Sequence, residues 1–498
     1  MAIVKRSTLP RILLIIIAIA CIPLLISIVR MGYSIVFDFD ELNHVQIAWL
    51  IAHGQQPYRD IYNSFYPPVF EWTLLPVFLI FGFSFGAIYM ARYFMILLFA
   101  VRVIAMFIVV KNVFNRRVAI LSVVMFLLDP FVVFSSMQIR PDNLMITAFT
   151  LALIPFTQAM KTFSPKWWFW TGIGVAFSLL ALPKLLPMVA IFIVGAGVFV
   201  WVKKKTLVPL GWAFAGALVP VGLFSLYLLV HGSFVEMFRQ TVLEAKAAYS
   251  YFSGTMPEGF FYRPDNALIY GTMGKPLTWC YAWFLRIAPI TGVIFTIAMT
   301  LIDLRRLTAA AMIRLLLCAG LLVQWGILFF VPMVFLQHYI PISWLLAVFT
   351  AVGINEFFTI VQQHEIATHV MQIILFIACL ALIWASIGAN NIRDNANMAD
   401  LRSIIEKRWS QIPPGTYTFP NFLFRPSAYP ITYMYFLGNV PPVILNRLPP
   451  IPQRLEQYHV KILIINDYLM SKLSPDVVSY IQSHYRRVEG DDEIMVRN

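Results

Sequence analysis

Long apolar runs separated by short polar joints set the pattern of this chain from its start to about Ala389. A helix that crosses a bilayer needs about 20 such residues. Eleven runs are candidates, two of them short, at 11–30, 87–110, 118–134, 143–160, 167–182, 185–202, 207–230, 279–301, 315–331, 339–356 and 369–389. One more run, Pro67 to Gly86, is apolar enough to cross, but a crossing there would flip every later joint to the other side. It is read as an interfacial or re-entrant helix in the first long loop, 31–86, a reading that Pro76 and the terminal glycines suit. Ahead of it, residues 40–53 have the spacing of an amphipathic helix. Beyond Ala389 polar residues, prolines and short alternating stretches take over. They predict a helix from Asp394 to Arg408, a strand from Lys461 to Ile465, a helix from Pro475 to His484 and a last strand from Glu493 to Arg497. The expected fold class is an α-helical polytopic membrane protein. About 11 transmembrane helices and the interfacial helix occupy 1–389, and a small external α/β domain occupies 390–498.

Composition agrees with that pattern: 60% of the residues are hydrophobic and 12% charged, far from the balance of a soluble domain. The formal charge of +13 does not signal nucleic acid, because the basic residues sit in short clusters between apolar runs. Such clusters mark cytoplasmic joints. Lys5 and Arg6, Lys111 with Arg116 and Arg117, Lys161 with Lys166, Lys203 to Lys205, and Arg305 with Arg306 are therefore placed inside. Residues 31–86, 135–142, 231–278, the turn near His338 and everything after Ala389 fall outside. This orientation suits a bacterial plasma membrane, with the N-terminus cytoplasmic and the C-terminal domain periplasmic. The four cysteines, Cys21, Cys280, Cys318 and Cys379, have no spacing for a metal or a disulfide framework and read as small apolar fillers.

The external joints carry the candidate chemistry. The first loop sets Asp38, Asp40, Glu41 and Asp60 beside Tyr58, Tyr62, Phe65 and Tyr66, and a charge kept near lipid is usually kept for a purpose. Asp40 is ionised at neutral pH unless deeply buried, so it can accept a proton; a helix cap fits it equally well. Arg140, Pro141, Asp142 and Asn143 bring a second carboxylate to the same face, and Asp142 too has the capping alternative. Arg59, Arg92, Lys184 and His338 are the cations near external helix ends, where snorkelling to headgroups is the competing role. Arg102 lies deeper and calls for a partner, for which Asp129 is one candidate. Tyr58 and Tyr66 suit stacking on sugar rings or an interfacial aromatic belt.

The order Asp40-Glu41, Gly54 with Pro57-Tyr58 and Asp60, Tyr66-Pro67-Pro68, Gly86 with Arg92, Arg140-Pro141-Asp142, Pro183-Lys184, then His338-Tyr339 with Pro341 resembles the GT-C glycosyltransferases. It is most similar to the branch holding protein O-mannosyltransferases and the lipid A aminoarabinose transferase. The resemblance implies inverting transfer of a monosaccharide from a polyprenyl-phosphate carrier to a glycan, lipid or protein acceptor on the external face. By it, Asp40 matches the catalytic aspartate of the first loop, with Glu41 beside it, and Asp142 matches the second acidic position. Arg92 and Lys184 match cations assigned to the donor phosphate, a role extended to Arg59 and His338, although His338 departs from the family pattern. Tyr58, Asp60, Tyr66 and Arg140 are the expected sugar and acceptor contacts. No cofactor is required, since a glycosyl phosphate carries its own activation, while carboxylates on one face leave room for a divalent cation. A flippase for a lipid-linked sugar, or an oligosaccharide polymerase or ligase, is the alternative.

Overall fold

The computed structural model describes residues 9–35, 39–61, 66–82, 85–247, 276–303, 308–328, 330, 336–361, 365–395, 418–419, 449–465, 467–471 and 473–498. Asp38, Tyr62, Phe65, Lys5, Arg6, Arg305, Arg306 and the expected helix beyond Asn395 lie outside those residues.

Helix α1 (Leu9–Ser34) is the first span. Helix α2 (Phe39–Ala52) follows within one residue of the expected amphipathic segment. Helix α3 (Val69–Phe81) then starts directly after the double proline and stops at Gly82, whose φ of 60° suits a residue without a Cβ. Its 13 residues reach only about 20 Å at the α-helical rise, short of the roughly 30 Å apolar layer. It buries Val69, Phe70, Glu71, Leu74 and Phe78 against its neighbours.

Helix α4 (Phe85–Val113) is a full span. The third expected span, 118–134, is corrected: it is two short helices, α5 (Arg116–Leu127) and α6 (Pro130–Met137). The break at Leu128 and Asp129 stands just before Pro130, whose ring disfavours helical geometry in the preceding residue. Helices α7 (Pro141–Thr162), α8 (Pro165–Ala181), α9 (Leu186–Lys204) and α10 (Val208–Val230) continue the bundle. All five starts from α6 to α10 place Pro in the first turn, where its missing N–H costs nothing. Helices Pro276–Asp303, Ala309–Ile327, Ile340–Val361 and Glu365–Asn395 complete it. Among the described residues seven helices are long and apolar enough to cross a membrane.

Glycines let some of these helices touch backbone to backbone, the usual device where lipid removes the hydrophobic drive for association. A Cβ on Gly172 of α8 would stand 1.8 Å from the Ala213 carbonyl oxygen, and one on Gly216 of α10 would stand 2.0 Å from that of Phe169. Gly292 meets the Phe349 carbonyl oxygen at 1.7 Å in the same way, joining Pro276–Asp303 to Ile340–Val361.

The C-terminal residues form a four-stranded sheet, β1 (Thr418–Phe419), β2 (Ile462–Ile464), β3 (Tyr485–Val488) and β4 (Asp491–Arg497), in the order β1-β2-β4-β3. Strand β1 pairs parallel with β2, and the other two pairings are antiparallel. Helix Pro475–His484 lies where the sequence places it, whereas β3 and the short helix Ile451–Gln457 add to the expected elements.

Candidate functional site

One end of the bundle gathers the ends of α1, α2, α4 and α7, and a buried ion pair ties them together. Arg92 of α4 grips Glu41 of α2 with two parallel bonds, Nε to Oε1 at 3.0 Å and Nη2 to Oε2 at 2.7 Å. Its Nη1 donates to the carbonyls of Gly32 and Ile35 at 3.3 and 2.5 Å, satisfying the frayed end of α1. Glu41 Oε1 also accepts from the Ile139 N–H at 2.9 Å, which fixes the approach to α7. Both side chains are essentially inaccessible. Paired charges at this depth are stable because each carries a full set of bonds. Arg92, expected at the donor phosphate, and Glu41, expected among the catalytic carboxylates, here hold each other and the surrounding backbone.

On that frame stand two less buried pairs. Arg140 Nη1 donates to Asp40 Oδ2 at 2.6 Å, and Lys184 Nζ donates to Asp142 Oδ1 at 2.8 Å. Asp40 is 37% exposed and Lys184 33%, whereas Arg140 and Asp142 are nearly buried. Arg140 is further steadied by Gln138, whose Oε1 accepts from Nε at 3.0 Å. Lys184 sits on a short 3₁₀ turn, Pro183–Leu185, and its carbonyl accepts from Gln324 at 3.2 Å. Because Arg140 and Asp142 are two residues apart at the start of α7, the pairs share one patch. Tyr66 belongs to it as well: burial, and then Glu71, Asp40 and Asp142, push its phenol well above the ordinary value, with Arg140 opposing.

The remaining expected residues lie differently. Tyr58 is buried with Phe224 and Leu228, holds a φ of 69°, and donates its hydroxyl to the Tyr66 carbonyl at 2.9 Å. It braces the loop and is not open to stack on a sugar. Burial, with Glu71 and Tyr227 nearby, pushes its phenol well above the ordinary range. Asp60 closes a turn by accepting from the Gln56 N–H at 2.9 Å, and Arg59 pairs with it at 3.3 Å on the surface. Both bond within that turn. His338 is half-buried in the 3₁₀ turn Leu336–Tyr339. Arg102 does not pair with Asp129. It lies against the rings of Phe99 and Phe126 and bonds to Ser136 and Asn143.

Two functional candidates escaped sequence reasoning, His44 and Glu71, whose Nδ1 and Oε1 are 2.7 Å apart in the interior. Their signals were present: His44 is one helical turn from Asp40, and Glu71 is the only charge in the run Pro67 to Gly86. Toward the C-terminal end of α2 an apolar cleft of about 510 Å³ lies between α2, α3, α8 and α10, with Trp72, Phe177, Leu223 and Phe224 on its walls and Gln56, Tyr227 and His231 at its polar edge. Among the described residues no three His, Cys, Asp or Glu side chains gather as a metal would require. Asp40 and Asp142 each hold a cation of the protein.

Residues 66–229 match the family model for dolichyl-phosphate-mannose-protein mannosyltransferase, about a third of the chain. The crystal structure of ArnT from Cupriavidus metallidurans bound to undecaprenyl phosphate is similar over 99% of this chain and 98% of that one, with a TM-score of 0.60 at 11% identity. The apo oligosaccharyltransferase of Archaeoglobus fulgidus is similar over 94% of this chain and 72% of that one, with a TM-score of 0.52 at 11% identity. No curated protein sequence matches. The chain thus has the GT-C glycosyltransferase fold expected from its motifs and is an integral membrane protein.

Proposed function

We propose that this protein transfers a monosaccharide from a polyprenyl-phosphate carrier to an acceptor hydroxyl, with inversion, at the patch formed by Asp40, Arg140, Asp142 and Lys184. The observation that carries this reading is the pairing itself. Two carboxylates are each held by a cation, and in each pair one member remains accessible enough to exchange its partner for substrate.

The chemistry divides between the pairs. Asp40 keeps its charge through Arg140 and, partly exposed, takes the proton of the acceptor hydroxyl as that oxygen bonds to the anomeric carbon. The anomeric carbon to phosphate bond breaks with its electrons going to the phosphate. Lys184 turns from Asp142 to meet the charge that develops there. Asp142 serves to hold Lys184 in place before the donor arrives. The Glu41 and Arg92 pair keeps α2 and α7 at the right separation, the positioning on which such catalysis depends. The apolar cleft takes the first isoprenyl units of the carrier. In the cell the patch faces the outside of a bacterial plasma membrane, with a lipid, glycan or protein as acceptor.

The test is a transfer assay with purified protein in detergent, polyprenyl-phosphate-linked sugars and an envelope extract. Label moving to a new acceptor with wild type and not with Asp40→Asn supports the reading. An equally active Asp40→Asn reduces Asp40 to a helix cap. Movement of the lipid across liposomes without transfer replaces the enzyme with a flippase.

A further inference from the structure

His44 and Glu71 lie outside the transfer step described above, yet they are buried, titratable and aimed at a member of the patch. Glu71 Oε1 sits 2.7 Å from His44 Nδ1, and Glu71 Oε2 has no partner among the described residues. A buried carboxylate with one oxygen unmatched is costly unless a cation faces it, and His44 is the group placed to supply that charge. The hydroxyl of Tyr66 lies 3.3 Å from His44 Nδ1 and 3.4 Å from Nε2. The hydroxyl thus lies over the ring at nearly equal distance from both nitrogens, and since Glu71 occupies Nδ1, Nε2 is the one a small shift of the phenol can reach. An imidazole has two states there. Neutral, with its proton on Nδ1 toward Glu71, it offers a lone pair at Nε2 and accepts from the Tyr66 hydroxyl. Protonated, it donates from Nε2 to the phenol oxygen, and the phenol proton must find another acceptor.

We propose that His44, held by Glu71, is a positioning residue that sets the direction of the Tyr66 hydroxyl: protonated, it turns the phenol proton outward to a substrate oxygen beside Asp40 and Asp142, and neutral, it draws that proton inward. The idea rests on the transferase reading for its substrate, but the proton relay stands on its own geometry. The groups around the relay are few. Asp40 and Glu41 lie one turn earlier on α2, Glu71 faces it from α3, and Tyr66 from the loop. Arg92 of α4 is spent on Glu41, Arg140 of α7 on Asp40, and Lys184 on Asp142. Phe70 presents its ring to the imidazole at 5.2 Å and is inert. Glu71 is thus the charge in direct contact with His44.

Two readouts separate this inference from the transferase reading. First, histidine and tyrosine ¹³C NMR of the full chain in nanodiscs follows both rings between pH 5 and 9, with His44→Gln and Tyr66→Phe assigning the signals. The Tyr66 ring carbon bearing the hydroxyl is expected to shift with the His44 midpoint in wild type and to lose that inflection in His44→Gln. Glu71→Gln, which loosens the contact that holds the imidazole, is expected to weaken the coupling between the two rings. A Tyr66 signal indifferent to His44, or a coupling unchanged by Glu71→Gln, overturns the inference whatever the enzyme does; if Glu71→Gln does not fold, the wild-type tyrosine titration decides. Second, in the transfer assay the rate of wild type should fall about tenfold per unit above that midpoint, and Tyr66→Phe should lose this limb. A limb that persists in Tyr66→Phe also overturns it. Absence of transfer by wild type with every donor sinks the function and leaves the NMR result to judge the relay.

Discussion

Arg140 and Asp40, a hundred positions apart in the chain, meet at 2.6 Å with the arginine buried and the aspartate half in the open. The arrangement puts the fixed charge behind and the exchangeable one in front. Asp40→Asn should accordingly change stability little, since the amide oxygen can still accept from Arg140 and Gln138 continues to hold its Nε. Transfer should fall by roughly 10²- to 10⁴-fold, the span of a lost general base. Thermal midpoint and turnover, measured on the same preparation, check the split, and a midpoint that falls with activity would return Asp40 to a structural role.

Glu41 and Arg92 should behave in the opposite way. Removing either partner leaves an uncompensated buried charge and should cost about 3–5 kcal/mol. Replacing both with leucine should cost less than either single change, because no charge is then stranded. Denaturation of the two single variants and the double variant forms the cycle. Equal losses in all three would mean that the frame is held by something else.

Lys184→Met should weaken binding of undecaprenyl phosphate by about tenfold or more, the worth of one charge-assisted hydrogen bond. Wild-type affinity should drop with added salt, and the variant should be flatter. Binding in detergent at two ionic strengths is the measurement.

Gly172→Leu should fail to assemble, since even its Cβ would overlap the Ala213 carbonyl. Gly211 of the same helix pair has open space at its Cβ and should accept alanine without penalty beyond packing noise. Yield of monodisperse protein distinguishes the two positions.

Within the C-terminal unit, Arg497 donates to Glu456 at 2.5 Å and Tyr480 bonds to the same carboxylate. The bond from Arg497, then that from Tyr480, holds the Glu456 carboxyl below its usual value. A depressed carboxyl stabilises above its unfolded pKa, and that contribution vanishes as pH falls through the folded one. The unit should loosen between about pH 4.5 and the lower folded value, and Glu456→Gln should remove that dependence. Hydrogen exchange at β4 across the acid range reports it.

Legibility followed the range of each cause. Helix α2 and the helix Pro475–His484 were readable to within a residue, because periodicity and a first-turn proline or acid are local signals. The third span was misread because apolar content says nothing about backbone geometry, and Pro130 outweighed it. Asp40, Arg140, Asp142 and Lys184 are legible from their places at external helix ends and from the order of the motifs, but which cation faces which carboxylate is not. Arg92 shows why. Its distance from Glu41 is 51 positions, and nothing near either residue says that the guanidinium is filled. Arg102 likewise meets two neutral oxygens and two rings, partners that packing brings together and sequence spacing does not announce.

The glycine contacts between α8 and α10 have a mechanical corollary. Helices that meet through their backbones have no side-chain cushion to slide on, so these two form a stiff rail along one side of the apolar cleft. Helix α3, short and standing between a double proline and Gly82, is the compliant side. Any widening of the cleft therefore falls to α3 and its Trp72 before it falls to the glycine-paired helices.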